Sequence, residues 1–441
     1  MDMAELLEVA EALLRRYPLC DSCLGRQFAM LGSNLSNEER GFSIKTLLMM
    51  NLDRERGLSE DNKELLIALA RSGHNPSIEY LKSKGIDVEQ IPCYICRGLL
   101  EHIPRLVRKA LEKLKHYEFN TFLVGSKVPE EVLNREERLR AEYKLDRGES
   151  IKAEINRRAG KLIREATGKE VDFSEPDIIV TLDFGLMDVE VLPSPIFIYG
   201  RYRKLSRSIS QCRWLCPRCR GVGCRYCKMT GKRRLLSIEE AIGSVILKYA
   251  LGDDVKFHGA GREDVDVRML GNGRPFVIEV VRPKIRNLDL DRISIEINYR
   301  CRGIVEVMDL KFVPRDFVKK LKASAEVRPK VYKALVKVDN ELEMDKLSLL
   351  ERMFKERIIR QRTPLRVLHR RADKVRIKRV DWVKPRMLTS RRVFEALVKC
   401  QGGLYVKELI SGDKGRTSPS FSEVLGTNAR CIRLDVLKVE G

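Results

Sequence analysis

The chain runs to 441 residues, with 85 Lys and Arg against 63 Asp and Glu, a formal net charge of +22 and a pI near 9.5. An apolar share of 43% at this length excludes a disordered chain and allows roughly two to four domains. The charge points to a polyanionic partner, and apolar runs stop short of the roughly 18 residues that span a bilayer, so a soluble cytoplasmic protein without a membrane partner is expected.

From Met1 to Arg16 the sequence is acidic and amphipathic, unlike an export signal. It sets Leu6, Ala10, Leu13 and Leu14 on one face of a helix over residues 3–16, and Pro18 then precedes Cys20-Asp-Ser-Cys23. Helical segments around 37–72 separate this pair from Cys93-Tyr-Ile-Cys96. Each Cys-x-x-Cys suits two thiolates on one tetrahedral zinc, and four thiolates leave no open position for water, so the expected metal is structural and clamps residues 1–100. Eight of the twelve cysteines fall into four such pairs. In a reducing compartment that pattern favours metal over disulfides.

Between 101 and 207 the pattern turns to mixed α and β. A basic helix ends near His116, a strand covers 119–124, a helix 150–166, and strands 177–183 and 188–192 follow. In Pro195-Ile-Phe-Ile-Tyr-Gly-Arg-Tyr-Arg-Lys204, aromatic and basic side chains interleave. Tyr199, Arg201, Tyr202, Arg203 and Lys204 thereby become candidate RNA contacts, because rings stack on bases and cations neutralise phosphates. The same ten residues also fit a strand edge with both tyrosines half-buried.

Residues 208–234 carry Cys216-Pro-Arg-Cys219 and Cys224-Arg-Tyr-Cys227, joined through Gly221 and Gly223. Two facing pairs on a short turn predict a zinc knuckle rather than a redox dithiol. Cys212, Cys301, Cys400 and Cys431 stand alone and read as core or surface thiols.

The remainder, 235–441, reads as a strand-rich α/β domain with a helix over 237–251 and strands over 276–281, 293–298 and 304–307. Between His258 and Phe276 a glycine-flanked turn carries Asp264 and Asp266 beside Arg262, which can hold a neighbouring carboxylate ionised. Gly271-Asn-Gly273 reads as a hairpin turn. Arg352 to Arg392 holds sixteen Lys and Arg against three acids. The alternation Val375-Arg-Ile-Lys-Arg-Val380 predicts a strand with one buried and one cationic face, lining an RNA cleft with Arg366, Arg370 and Arg371.

Four segments recur in a recognisable order: Gly261-Arg-Glu-Asp264, Val331-Tyr-Lys-Ala-Leu335, Thr363-Pro-Leu-Arg-Val-Leu-His-Arg-Arg371, and Gly402-Gly-Leu-Tyr-Val-Lys-Glu-Leu409 with the tail Ser411 to Ser420. Together with the cysteine pairs they resemble RNA pseudouridine synthases of the archaeal branch that isomerises uridines 54 and 55 in the tRNA T arm. The resemblance implies an α/β (α+β) architecture: a mixed-sheet catalytic domain at 235–441, a knuckle linker at 208–234, a THUMP-like RNA-binding domain at 101–207 and a zinc-binding helical segment at 1–100.

It also implies Asp264 as the catalytic aspartate, with Asp266 on the same face of an extended segment. Tyr332 would lie near the uracil, Tyr405 at a base-contacting position, Lys407 would pair with the aspartate, and Leu409 would form an apolar wall. Zinc would be structural and no organic cofactor is needed. The partner would be tRNA, held at the T arm and at the acceptor end through segment 195–207, by a monomeric enzyme. The rival reading is a noncatalytic, zinc-containing tRNA-binding or chaperone-like protein. A thiouridylase or methyltransferase would need a donor pocket, and no Gly-rich phosphate loop is evident.

Overall fold

The computed structural model describes residues 3–54, 59–146, 148–234, 236–325 and 328–439. The chain divides into two compact units, Met1–Ser194 and Pro195–Gly441. Among the described residues no helix is long and apolar enough to cross a membrane.

The first unit opens with helices Met3–Arg16, Asn37–Arg54, Glu60–Arg71 and Asn75–Ser83. The expected stripe Leu6, Ala10, Leu13 and Leu14 is the buried face of the first. Helix Ile103–Leu114 leads into strand β1 (Thr121–Lys127); helices Glu130–Tyr143 and Ile151–Thr167 precede β2 (Glu170–Val171), β3 (Ile178–Asp183) and β4 (Asp188–Pro193). The sheet runs β2-β1-β3-β4, with β1 parallel to β2 and β3, and β4 antiparallel to β3. Helix Ile151–Thr167 starts where the Ser150 hydroxyl accepts from the Ala153 amide, a cap contributing about 1 kcal/mol, and stops at Gly168 with φ +67°. One apolar cluster reaches from Leu6 to Val189. Helical segment and sheet therefore share a core, and no division into compact units falls at residue 100.

The second unit contains β5 (Ile196–Lys204), β6 (Asp254–Gly259), β7 (Arg268–Val281), β8 (Val305–Phe312), β9 (Lys330–Val338), β10 (Arg357–Arg362), β11 (Val375–Met387), β12 (Val393–Cys400), β13 (Thr417–Ser418) and β14 (Ala429–Val439). Among the described residues these form one sheet in the order β13-β10-β11-β12-β9-β14-β7-β5-β8, with β6 on β7. Helix Ile238–Ala250 packs its apolar face against it.

Four sequence expectations need correction here. The segment 195–207, assigned to the RNA-binding domain, instead supplies β5, paired between β7 and β8 of the second unit. Its period of two turns Tyr202 and Lys204 to the core, both fully buried, so neither can touch RNA. Arg201 and Arg203 donate to carbonyls of Asn272, Gly273 and Gly271 on β7, and Tyr199 packs edge-on against Phe317.

The stretch 293–298 is helical, within Leu290–Arg300. Asp289 caps it, and Ile293 and Ile297, four residues apart, face the core, a spacing that the β-branched composition obscures. Gly271-Asn-Gly273 is a bulge inside β7 rather than a hairpin: pairing to β5 jumps from Tyr202↔Arg274 to Lys204↔Met269. The Asn272 amide exchanges two hydrogen bonds with the Val439 main chain, and a Cβ at Gly271 would lie 1.7 Å from the Leu437 carbonyl oxygen. Finally, β11 is a strand, but its faces are reversed at its start: Val375 and Ile377 are exposed while Arg376 and Lys378 are half-buried.

Candidate active site

The loop between β6 and β7 presents Asp264, and a buried polar scaffold fixes it from below. Glu263 points inward. It accepts from Arg274 Nε at 2.8 Å and from the Tyr202 hydroxyl at 2.9 Å, while Gln211 Nε2 donates to that hydroxyl and to the Gly261 carbonyl. Glu263 and Arg274 are a fully buried pair whose remaining polar atoms are partly satisfied by the loop itself, since Arg274 Nη1 donates to the Ala260 carbonyl. Lys204 Nζ donates to the carbonyls of Ile209, Asp264 and Val265 at 3.2, 2.9 and 2.7 Å. Burial pushes its pKa down to about 8, against the raising fields of Glu263, Asp266 and Asp264.

Past Asp264 the chain turns, with the Val267 amide donating to the Asp264 carbonyl. The expected extended segment is thus a turn, though both carboxylates still meet Lys407. Its Nζ lies 2.8 Å from Asp266 and 3.5 Å from Asp264. Burial raises the pKa of Asp266, but the Lys407 hydrogen bond and charge outweigh it and hold the carboxyl below its ordinary value. The nearest cation to Asp264 is Arg366, Nη1 to Oδ2 at 2.8 Å. Arg366 stands on the turn Leu365–Arg370 after β10 and also pairs with Glu408. Burial opposes its charge, yet Glu408 and Asp264 together raise its pKa. Glu408 is itself raised by burial, with Arg366 pulling the other way.

Tyr332 on β9, Tyr405 and Lys407 join Asp264 and Arg366 around one cavity, walled by Val267, Leu404, Val406, Leu434 and Val436. Burial holds the Tyr332 phenol above its ordinary pKa, hence neutral. Tyr405 caps helix Val406–Ser411, and buried Gln361 grips its main chain at both ends: Oε1 accepts from the Tyr405 amide and Nε2 donates to the Tyr405 carbonyl. The Arg366 guanidinium stands 5.8 Å from the centre of the Tyr405 ring.

Several expected roles move. Arg262 is exposed and lies 5.9 Å from the Trp214 ring centre, while the ion pairs of Asp264 go to Arg366 and Lys407. Leu409 is fully buried in the core rather than among the residues lining the cavity. Arg366, expected on phosphate, belongs to the carboxylate cluster. Arg371 is exposed beside the cavity, and the Arg370 side chain lies outside the described residues. Glu263, Gln211, Arg274 and Glu408 went unforeseen. A charged residue at an inward position of an apolar strand, as Arg274 is in β7, was the available signal of a buried partner.

The cysteines gather as spaced. Cys20, Cys23, Cys93 and Cys96 converge in the first unit and Cys216, Cys219, Cys224 and Cys227 in the second, the four sulfurs of each within 4.8 Å of one another. Sulfur separations of 3.7 Å for Cys20–Cys96, Cys219–Cys227 and Cys224–Cys227, and 3.9 Å for Cys216–Cys224, fit four ligands about 2.3 Å from one ion, which sets them about 3.8 Å apart. A disulfide would need about 2.05 Å. Amides of Gly223, Cys224 and Gly231 donate to sulfur in the second cluster, and Arg26 to Cys23 in the first. Both clusters could hold a metal ion.

Residues 197–440 match the family model described as Pus10, C-terminal, and residues 106–183 that described as Pus10 THUMP domain, archaeal. The chain belongs to the Pus10 family of tRNA pseudouridine synthases. The "tRNA pseudouridine synthase Pus10" of Methanothrix thermoacetophila is 44% identical over 99% of this chain and 95% of its own length. The proteins of the same name from Thermofilum pendens and Methanocaldococcus jannaschii are 43% and 44% identical over 98% and 97% of this chain, and 95% and 93% of theirs. The Pus10 C-terminal match starts at the second residue of β5, in keeping with the sheet to which that strand is bonded.

Proposed function

We propose that this chain converts uridine to pseudouridine in the T arm of tRNA, at position 54, 55 or both, with Asp264 as the reacting carboxylate. The carrying observation is a partly exposed aspartate, held by a buried scaffold and two cations, facing Tyr332 and Tyr405 in an apolar-walled cavity. The reaction breaks the ribose C1′–N1 bond, turns the uracil and joins C1′ to C5; the proton leaves C5 and one arrives at N1, so no redox partner is required. The ionised Asp264 serves either as nucleophile at C1′ or as base at C2′. Arg366 and Lys407 pair with its carboxylate and hold it in place, and the tyrosine rings and aliphatic wall retain the detached base.

Reaching the target requires extrusion of the nucleotide, costing a few kcal/mol that contacts elsewhere must offset. The basic surface and the THUMP-matching segment 106–183 supply that grip, the latter at the acceptor end of the tRNA. We read both cysteine clusters as structural zinc sites, and the protein as a cytoplasmic monomer.

Asp264→Ala is the test. It should abolish pseudouridine, mapped by carbodiimide-dependent reverse-transcriptase stops on an unmodified tRNA transcript, while tRNA binding persists, because one neutralised acid hardly alters a chain of net charge +22. Retained stops in the T arm would favour a noncatalytic role for Asp264.

A further inference from the structure

Lys330 opens β9 two residues before Tyr332 and is only 5% exposed. A lysine so buried ordinarily finds a carboxylate or a set of carbonyls. Lys204 has three, whereas the Lys330 ammonium has no hydrogen bond or ion pair among the described residues. Burial and the adjacent Arg274 push its pKa down to about 8, with Lys378 adding to the effect and Cys400 and Glu263 opposing it. Glu263 is already committed to Arg274 and Tyr202.

Lys330 lines a groove that continues from the Asp264 cavity, the two sharing Arg262, Tyr332, Leu404 and Tyr405. Arg371, Arg376 and Lys378 line it too, and among the described residues that line it none is acidic. Glycines keep the ammonium groups uncovered: a Cβ at Gly261 would stand 3.2 Å from Lys330 Nζ, and one at Gly403 3.3 Å from Lys378 Nζ. The groove is thus cationic, without a counter-ion of its own, and continuous with the cavity assigned to the uridine.

We infer that Lys330 and Lys378 form a phosphate seat, binding the phosphodiester next to the extruded uridine, with Arg262 and Arg371 at its rim. This rests on the reading of the Asp264 cavity as the uridine site. A stacked strand cannot deliver its phosphate to a buried ammonium, whereas an extruded nucleotide carries its linkage in with it. The contact therefore forms with the flipped state and favours it over the merely bound one.

Full-length tRNAs assembled by ligation, each with a single uncharged methylphosphonate on the 5′ or 3′ side of the target uridine, test this with the intact enzyme under single turnover. With wild type, one of the two substitutions should slow pseudouridine formation by about tenfold or more, as for loss of a charged hydrogen bond. Lys330→Met should show the same loss on ordinary tRNA and no further loss on the methylphosphonate. Lys378→Met, at a half-exposed position, is the second variant should Lys330→Met not fold, and should likewise couple to that linkage. Its tRNA affinity should fall less steeply with salt, the logarithmic slope shrinking by about 0.7 to 0.9. Full wild-type rates with both methylphosphonates, or losses that multiply, would overturn the seat. No pseudouridine from wild type on ordinary tRNA would instead overturn the uridine-site reading, and the seat with it.

Discussion

Arg366 illustrates how much of this site depends on one side chain shared between two acids. Removing it in Arg366→Met leaves Glu408 buried without its partner and Asp264 without its nearest cation, 2.8 Å away. Glu408, already raised by burial, would then lose the charge that pulls the other way and take up a proton more readily. A fall of about 10- to 100-fold in the single-turnover rate is expected, in line with about 1.5 to 3 kcal/mol for a charged hydrogen bond; Arg366→Lys should recover part of it.

Lys204 makes a second prediction, on the alkaline side. Protonated, it has three N–H groups for three carbonyls; neutral, it has two. The grip on the Asp264 main chain should therefore weaken above about pH 8 and the rate with saturating tRNA should decline. Stability should move the opposite way. The folded value of about 8 lies below the ordinary 10.5, so the unfolded chain holds more protons between them and stability rises with pH across that window. Rate profiles and melting temperatures from pH 7 to 10.5 check both, and Lys204→Met should weaken both dependences, leaving the share contributed by Lys330, whose value is also about 8. The resemblance, through motif order, singled out Asp264, Tyr332, Tyr405 and Lys407, which the structure gathers around one cavity. Sequence patterning misassigned Tyr202, Lys204 and Arg366, because an alternating pattern does not reveal which face is the core and a guanidinium reads alike for phosphate and carboxylate.

At the level of elements, spacing was readable where one period dominated. The Met3–Arg16 stripe and the four cysteine pairs came together as spaced. Long-range pairing was not readable: the Gly271–Gly273 segment resembles a hairpin turn in sequence, and only its partners Tyr202, Leu437 and Val439 make it a bulge. Gly271→Ala should accordingly destabilise the chain by more than about 2 kcal/mol in urea unfolding, from the clash at Leu437 and the positive φ together. For the cysteine clusters, two zinc ions per chain are expected by elemental analysis. Cys224→Ser should retain one and melt at lower temperature, since metal binding contributes to folding.

For the whole molecule, the division at 194/195 differs from the expected one because β5 is bonded into the second unit's sheet. The sheet, the Asp264 cavity and one cysteine cluster all lie between Pro195 and Gly441. A chain of residues 195–441 should therefore fold, carry a single zinc and show β-rich circular dichroism. It should still form pseudouridine, with a much higher KM for tRNA than the full chain, because the THUMP-matching segment is gone.

The clasp of Gln361 on the main chain of Tyr405 has an evolutionary reach. Since amide and carbonyl are both fastened by a side chain of β10, the main chain at 405 is held by bonds that do not involve the ring. Whatever stands there can be exchanged, aromatic for aliphatic or large for small, while Lys407 and Glu408 keep their stations. The cavity thus has an interchangeable tile in its wall, one that can be recut without the frame around Asp264 being rebuilt.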